Sequence, residues 1–150
     1  MRALVQRVSE GGVSIEEENY SAEIGKGMVI LLGIKSGDTE DDVNFVADKC
    51  VNLRIFEDEN DKMNLSIRDV NGEILIISQF TLYGDTSKGN RPGFTDAARP
   101  EEAIPLYEKF IERIRKNVGE GKVKTGKFGA MMLVKIMNDG PVTLTVESKR

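Results

Sequence analysis

Two short apolar runs constrain the fold of this chain more than any other feature of its sequence. Residues 28–34 (MVILLGI) are almost continuously apolar, and residues 74–77 (ILII) form a block dominated by β-branched side chains. Runs of this kind are typical of strands that are covered on both faces. The sequence therefore predicts a sheet that contains at least two buried strands.

Further strands and two helices complete a single predicted domain over residues 1–150. The alternating residues 3–15 contain the turn signal Glu10-Gly11-Gly12 and predict a hairpin. Thr39 followed by Asp42 resembles a capping box that opens a first helix, and a second helix begins near Pro100. Other predicted strands cover residues 53–56, 122–128, 131–137 and 144–146. This succession of strands and helices is typical of the α+β class.

The absence of histidine limits the chemistry that this chain can perform. Without histidine, neither a Ser-His-Asp nor a Cys-His arrangement is possible, and a histidine-ligated zinc site is excluded. The acidic residues 57–61 do not fit a calcium loop, because Met63 stands where the turn of such a loop requires glycine. We therefore predict no metal and no cofactor, and expect carboxylates, hydroxyls, backbone groups or the substrate itself to act.

Composition also restricts the partners and the compartment. No apolar run is long enough to span a bilayer, and the chain opens directly into a strand pattern, so we expect a cytoplasmic protein with no membrane partner. The single cysteine, Cys50, falls on an apolar helix face and is interpreted as a core residue. A net charge of -4 argues against broad binding to duplex nucleic acid.

The end of the second buried run is the first candidate site. Ser78, Gln79 and Thr81 follow residues 74–77 directly, and a strand that ends in polar groups presents them at the edge of a core. Ser78 and Thr81 are candidate nucleophiles. The alternative is an ordinary strand end whose hydroxyls bond to nearby backbone.

Two other segments carry charged residues that admit a functional interpretation. Residues 88–94 (KGNRPGF) combine two cations, two glycines and an aromatic ring, which suits a phosphate or an unstacked base, or is simply a surface loop. Arg7 lies within the first strand, where the pattern alone favours a partly exposed arginine paired with an acid.

Five segments of the chain together resemble one family in their order and spacing. They are residues 1–8 (MRALVQRV), 78–82 (SQFTL), 88–92 (KGNRP), 125–130 (TGKFGA) and 138–143 (NDGPVT). The chain is similar in these segments to the D-aminoacyl-tRNA deacylases. The resemblance implies a homodimer with mostly antiparallel, barrel-like sheets and two helices. It also implies hydrolysis of the ester between a D-amino acid and the 3′-terminal adenosine of tRNA.

The resemblance assigns roles to particular residues. In the family, the Gly140–Pro141 pair has a cis peptide bond and enters the pocket of the partner subunit, where it excludes L side chains, and Arg7 orients it. A steric filter of this kind predicts that Gly-tRNA is also cleaved. The implied catalytic residues are Ser78, Gln79, Phe80 and Thr81, and the implied substrate-binding residues are Arg7, Phe128, Gly129, Ala130, Met132 and Asn138.

The role of Thr81 and the class of activity admit alternatives. The family resemblance implies catalysis assisted by backbone N–H groups and by the 2′-hydroxyl of the terminal ribose, with Thr81 shaping the pocket. In the alternative mechanism the Thr81 hydroxyl is the nucleophile, but no general base stands beside it in the sequence. A non-catalytic nucleic-acid-binding module on the same fold, and an editing domain that acts on L-Ser-tRNA, are the other candidate functions.

Overall fold

The computed structural model describes residues 1–148 and contains eight strands and two helices. Short 3-10 turns cover Glu16–Glu18, Phe80–Tyr83 and Glu120–Lys122. The α+β class and the two helices are confirmed. The elements follow the order β1 (Arg2–Ile15), β2 (Tyr20–Ile24), β3 (Gly27–Gly33), α1 (Glu40–Asn52), β4 (Phe56–Glu57), β5 (Met63–Leu65), β6 (Glu73–Ser78), α2 (Pro100–Val118), β7 (Val123–Thr125) and β8 (Leu133–Glu147).

The main sheet is built around β1, which is long enough to pair with three other strands. It pairs antiparallel with β2 and β3 along one edge and with β8 along the other. Beyond β3, the strands β6 and β7 are added in parallel. The small β4–β5 pair forms a separate sheet. The pairing is mostly antiparallel, as expected, with two parallel pairs that local sequence patterns do not reveal.

A hydrogen bond between distant strands nearly closes the main sheet into a barrel. The hydroxyl of Tyr20, at the start of β2, donates to the carbonyl oxygen of Thr125, at the end of β7, over 2.7 Å. The ammonium group of Lys127 lies 4.7 Å from the centre of the Tyr20 ring and 2.9 Å from the carboxylate of Glu18. The two outer parts of the sheet therefore meet around an enclosed interior.

Two apolar clusters lie on opposite faces of this sheet. The larger cluster joins Val5, Ile30 and Ile76 to the helices, where Phe110 and Ile114 of α2 are fully buried. The smaller cluster fills the inside of the curled sheet and contains Val8, Val13, Ile24, Val29, Leu75 and Ile77. Because neighbouring residues of β3 and β6 alternate between the clusters, both strands are buried on both faces, as their sequences predict.

The helix starts also agree with their sequence signals. The backbone N–H of Thr39 donates to the side chain of Asp42 over 2.8 Å, which completes the predicted capping box of α1. Pro100 is the first residue of α2. Cys50 is fully buried on the inner face of α1, and burial raises the pKa of its thiol to about 12. The thiol is therefore a core group, as predicted.

The predicted hairpin over residues 3–15 is wrong, because β1 continues straight through Gly11 and Gly12. Both glycines are buried and pair with β2 on one side and β8 on the other. A side chain on Gly11 would place its Cβ 3.0 Å from Val29 and 3.3 Å from the backbone of Lys135. These glycines permit close packing, and the chain instead reverses after Glu16–Glu18.

The C-terminal strands also differ from expectation. Residues 133–137 and 144–146 belong to the single strand β8, whereas the predicted strand residues 131 and 132 precede it. Within β8, four residues, 139–142, stand opposite the single residue Arg7 of β1. The predicted strand 53–56 shifts to Phe56–Glu57. The basic segment 122–128 is a strand only from Val123 to Thr125. Short strands and bulges such as these depend on long-range pairing that single-residue patterns do not encode.

No helix of residues 1–148 combines the length and the apolar character needed to cross a bilayer.

Candidate active site

The end of β6 carries the first half of the candidate site. The backbone N–H of Gln79 donates to the carbonyl oxygen of Leu32 over 2.8 Å, and the chain then turns into the 3-10 segment Phe80–Tyr83. Ser78 and Gln79 are half-buried, whereas Phe80 and Thr81 are exposed. The strand end therefore presents polar groups at the edge of the core.

Thr81 has a neutral partner in this turn. The side-chain amide of Gln79 donates a hydrogen bond to the Thr81 hydroxyl oxygen. Among residues 1–148, no carboxylate or amine side chain forms a hydrogen bond with Thr81 or Ser78. An amide donor cannot remove a proton from a hydroxyl, so the described residues supply no side-chain base to either candidate nucleophile.

Arg2 holds the turn in place, a role that its sequence pattern does not predict. Its Nη1 atom donates to the carbonyl oxygen of Leu82 over 2.7 Å, and its guanidinium lies 4.7 Å from the centre of the Tyr83 ring. Its Nε atom lies 3.2 Å from the Glu147 carboxylate, so Arg2 links the turn to the end of β8. Burial raises the pKa of Tyr83 to about 12. The only sequence signal was a charged residue at the start of a strand.

Residues 126–132 lie beside this strand end. The Gly126 N–H donates to the carbonyl oxygen of Ile76 over 3.1 Å, and Met132 packs against the apolar cluster that contains Ile77. The Phe128 ring packs against Tyr107 of α2, with ring centres 5.8 Å apart, and Gly129 and Ala130 follow it in a turn. The structure thus brings the segment that carries the predicted substrate-binding residues 128–132 next to the strand that leads into Ser78.

Arg7 lies elsewhere, in a buried position that its sequence pattern did not predict. Only 6% of Arg7 is exposed, so the interpretation as a partly exposed strand arginine is wrong. Its Nη1 atom donates to the carbonyl oxygen of Ile55 over 2.8 Å, and its Nε atom donates to that of Asp139 over 3.1 Å. The Glu57 carboxylate lies 3.6 Å from Nη2. The cation is therefore tied to two separate backbone segments as well as to an acid.

Residues 139–142 of β8 bulge out of the sheet opposite Arg7, and we call this segment the excursion. It contains Gly140 and Pro141, which are joined by a cis peptide bond. Asn138 stands at its base, where its side-chain oxygen accepts a hydrogen bond from the Val142 N–H over 3.3 Å and its amide donates to Thr143 over 2.9 Å. Gly140 and Pro141 themselves are exposed. The excursion is therefore fixed at its base and open to the outside at its tip.

The two groups of predicted site residues lie at different levels along the strands of the sheet. In the strand register, Ser78 is aligned through Leu32 with Ala3, whereas Arg7 is aligned through Met28 with Ile74. Four residues of an extended strand separate these two levels, which corresponds to roughly 13 Å. Within one chain, Gly140 and Pro141 therefore do not meet the strand end that carries Ser78 to Thr81.

One of the two groups of site residues, the one around Arg7, lines a cavity in the surface. A recess of about 180 Å³ is lined by Arg7, Asp139, Lys26, Phe56 and Glu57. A larger cavity of about 440 Å³ lies on the outer side of α2, near Ile111 and Arg115, and contains none of the predicted site residues. The smaller recess is the one that belongs to the candidate site, because the buried, hydrogen-bonded cation of Arg7 lies in its wall. Among the described residues, no group of three acidic or cysteine side chains could hold a metal ion.

Known proteins show the family to which this chain is similar. A family model described as D-Tyr-tRNA(Tyr) deacylase matches residues 4–147. A D-aminoacyl-tRNA deacylase from an Exiguobacterium species is 58% identical over 148 residues, which cover 98% of each chain.

Two solved structures share the fold over almost the whole chain. The c-Myc DNA unwinding element binding protein superposes with a TM-score of 0.93 at 43% identity, over 100% of both chains. A probable eukaryotic D-amino acid tRNA deacylase superposes with a TM-score of 0.82 at 19% identity, over 98% of both chains, and shows the likeness of fold alone. From the family match and the full-length identity, the chain belongs to the D-Tyr-tRNA(Tyr) deacylase family.

Proposed function

We propose that this protein hydrolyses the ester bond between a D-amino acid and the 3′-terminal adenosine of tRNA, and that it acts as a homodimer in the cytoplasm. The activity rests on the full-length match to D-aminoacyl-tRNA deacylases, and the observation that carries the dimer is the separation of the two half-sites within one chain. A two-fold axis places the excursion of one protomer against the strand end of the other, and the reverse, because such an interface is self-complementary. The dimer then contains two complete sites, each formed by one half-site from each protomer.

Rejection of L-amino acids is assigned to the excursion of β8. Gly140 and Pro141 of one protomer would occupy the volume beside the substrate α-carbon that an L side chain requires. Their position depends on Arg7, which is buried and bonded to the adjoining Asp139 carbonyl, so the barrier is rigid. Glycine carries no side chain to be rejected, and Gly-tRNA is therefore expected to be a substrate.

Hydrolysis does not require a side-chain nucleophile in this proposal. An aminoacyl ester is already activated, and the 2′-hydroxyl of the ribose lies beside the scissile carbonyl. The N–H groups of Phe80 and Thr81 open the 3-10 turn and have no acceptor within it, so they are available to a developing oxyanion. Thr81 shapes the pocket, in keeping with its amide partner Gln79.

The tRNA substrate carries many negative charges, and the chain has a net charge of -4. Binding is therefore assigned to a local set of cations around residues 88–91 and 122–127. Lys127 contributes least to this set, because Glu18 already neutralises it at 2.9 Å. With few phosphates contacted, affinity for tRNA should decline only modestly with salt.

The decisive experiment compares purified wild-type protein on D-Tyr-tRNA and L-Tyr-tRNA, with release of the amino acid as the readout. Rapid release from the D-ester together with stability of the L-ester is expected, and Gly-tRNA should be cleaved as well. Failure to cleave D-Tyr-tRNA would reject the activity. Complete inertness toward Gly-tRNA would reject the steric filter but leave the deacylase activity standing.

A second candidate is a nucleic-acid-binding protein without catalysis. It is favoured by the likeness to the c-Myc DNA unwinding element binding protein, which is 43% identical over the whole chain. This candidate requires sequence-selective binding of DNA at physiological salt and no release of any amino acid. Cleavage of L-Ser-tRNA in the same assay would instead indicate an editing domain for a synthetase error.

A further inference from the structure

An exposed pair of aromatic rings stands next to the strand end that carries Thr81. The rings of Phe80 and Phe94 pack edge to face, with centres 5.1 Å apart and planes at 70°. Phe80 is 53% exposed and Phe94 is 37% exposed. Aromatic rings left open to solvent in this way are more typical of binding surfaces than of a folded core.

The loop that leads to Phe94 is closed into a narrow arch. The N–H of Asp85 donates to the carbonyl oxygen of Gly93 over 2.7 Å, and the N–H of Gly93 returns a bond to Asp85 over 2.9 Å. Residues 86–92 are all exposed beyond this closure. The arch therefore fixes Phe94 at its base and projects the intervening residues into solvent.

Two cations stand on the arch without acidic partners. Lys88 and Arg91 are both exposed, and neither is in a salt bridge with any residue of the range 1–148. Several other cations of this acidic chain are paired, as Lys109 is with Glu40 and Arg113 with Asp48. Unpaired cations beside open aromatic rings match the two needs of a single-stranded nucleic acid, which are backbone neutralisation and base stacking.

We infer that Phe94 stacks against the base next to the terminal adenosine of the tRNA, while Lys88 and Arg91 contact phosphates of the single-stranded 3′ end. The inference rests on the proposed function in one respect, namely that the substrate is an aminoacyl-tRNA. Continuity with the candidate site supports it, because Phe80 packs against Phe94 and directly precedes Thr81. The arch then binds the nucleotides that enter the pocket behind the esterified adenosine.

The test compares two substrates that differ only in the nucleotides beyond the terminal adenosine. One is D-Tyr-tRNA and the other is D-tyrosyl-adenosine, which lacks the base that Phe94 is expected to contact. Phe94→Leu keeps an apolar side chain but removes the ring. Loss of one stacked base corresponds to a decrease of about 5- to 150-fold in kcat/KM on the tRNA. Activity on D-tyrosyl-adenosine should stay within about twofold of wild type.

Two further variants separate stacking from packing. Phe94→Tyr restores a ring and should restore activity on the tRNA. Ile104→Ala is the matched control, because Ile104 is also a large apolar residue with 36% exposure but lies on α2. The Ile104→Ala variant should have the wild-type kcat/KM on both substrates.

Salt dependence tests the two cations. The ligand is a single-stranded RNA that ends in CCA and carries no amino acid. Its binding is measured by fluorescence anisotropy over a range of salt concentrations. Lys88→Gln and Arg91→Gln should each reduce the slope of log affinity against log salt by about 0.7, the value for a phosphate of a single strand. Lys62→Gln, at another exposed lysine, should not change the slope.

Several outcomes would overturn the inference. Equal losses for Phe94→Leu on both substrates would give Phe94 a role in the pocket or the fold, and no loss on the tRNA would exclude stacking. A shift of oligomeric mass in Phe94→Leu would make the ring a contact between protomers. A wild-type protein that cleaves neither substrate defeats the proposed function, whereas RNA binding that is unaffected by Phe94→Leu defeats the inference.

Discussion

The Nε atom of Arg7 donates a hydrogen bond over 3.1 Å to the carbonyl oxygen of Asp139, the residue that precedes Gly140. This bond joins the middle of the central strand to an excursion whose tip is open to the outside. Because the guanidinium is buried and also bonded to the Ile55 carbonyl, the excursion is anchored to two parts of the fold. Its position is thus set by the protein core rather than by the surface.

Replacing Arg7 should affect both stability and selectivity. Arg7→Met removes the donor to two carbonyl groups in a buried setting, and we expect the free energy of unfolding to fall by about 2 to 4 kcal/mol. Arg7→Lys keeps the charge but cannot reach both carbonyls, so cleavage of L-Tyr-tRNA should rise relative to D-Tyr-tRNA. Denaturant titration and the deacylation assay measure the two effects. Arg54→Met, at an exposed arginine, is the control, and an equal effect there would refute the anchoring role.

Gly140→Ala should disturb the excursion at its tip. The φ angle of Gly140 is 123°, and an added Cβ would stand 2.9 Å from Val142 and 3.0 Å from the Arg7 guanidinium. We expect a loss of about 1 to 3 kcal/mol in unfolding free energy and weaker discrimination between D and L substrates. Gly121→Ala, where an added Cβ meets nothing within 4 Å, serves as the matched control for thermal unfolding.

Mixing two inactive variants should restore part of the activity if the half-sites come from different protomers. Gln79→Ala damages the strand end, and Gly140→Trp blocks the pocket from the other side. In a random mixture, half of the dimers combine one chain of each kind, and each of these has one intact site of two. We expect about a quarter of the wild-type activity after refolding the mixture together. Absence of any recovery would argue that the excursion serves the pocket of its own chain.

Thr81→Ala should remain an active enzyme. In the structure, the Thr81 hydroxyl is bonded to an amide and not to a base, so its removal should cost less than about tenfold in kcat. Loss of a true nucleophile lowers kcat by about 10⁴-fold or more. Single-turnover kinetics at saturating enzyme distinguish these results, and Thr86→Ala, on the exposed arch, is the control.

The ion pair between Asp48 and Arg113 should make stability depend on acid pH. Two hydrogen bonds of 2.7 and 2.8 Å from the guanidinium lower the pKa of Asp48. Because the pKa of Asp48 is lower in the folded protein, ionised Asp48 stabilises the fold at pH values above the ordinary aspartate pKa. This stabilisation is lost as the pH falls through the lowered pKa. Because both side chains are over a third exposed, Asp48→Asn should cost only about 0.5 to 1 kcal/mol at pH 7.

Denaturant titration of Asp48→Asn from pH 7 to pH 2 checks this sign. The difference from wild type should disappear at the acid end of the range. Glu108→Gln, at an exposed acid of α2, should show no comparable trend. A difference that grows toward low pH would contradict the assignment.

Much of the fold was predictable because its signals are local. Continuous apolar runs identified β3 and β6, and the pair Thr39 and Asp42 identified the start of α1, since capping and burial act within a few residues. The hairpin predicted at Gly11 and Gly12 was wrong, because a pair of glycines in a sequence is compatible both with a turn and with a closely packed strand. Only the neighbours across the sheet, Val29 and Lys135, distinguish the two cases.

The candidate site was predictable in its parts but not in its arrangement. The motifs located Ser78 to Thr81 and the Gly140–Pro141 pair, yet nothing in the linear sequence gives the strand register that separates them. The burial of Arg7 was equally hidden, because it depends on carbonyl groups of Ile55 and Asp139, which are 48 and 132 residues away in the chain. Long-range backbone acceptors leave no trace in side-chain patterns.

The four-residue excursion of β8 gives the fold a replaceable part. Paired positions flank it, with Asn138 opposite Val8 and Thr143 opposite Gln6, and a second, one-residue irregularity of β1 follows between Val8 and Glu10. The pairing of β1 with β8 continues on both sides of residues 139–142, so the sheet does not depend on the length of the inserted segment. Variation can therefore alter what this segment admits or rejects while the barrel that carries it stays unchanged. Loop grafting between relatives is the natural way to use that independence.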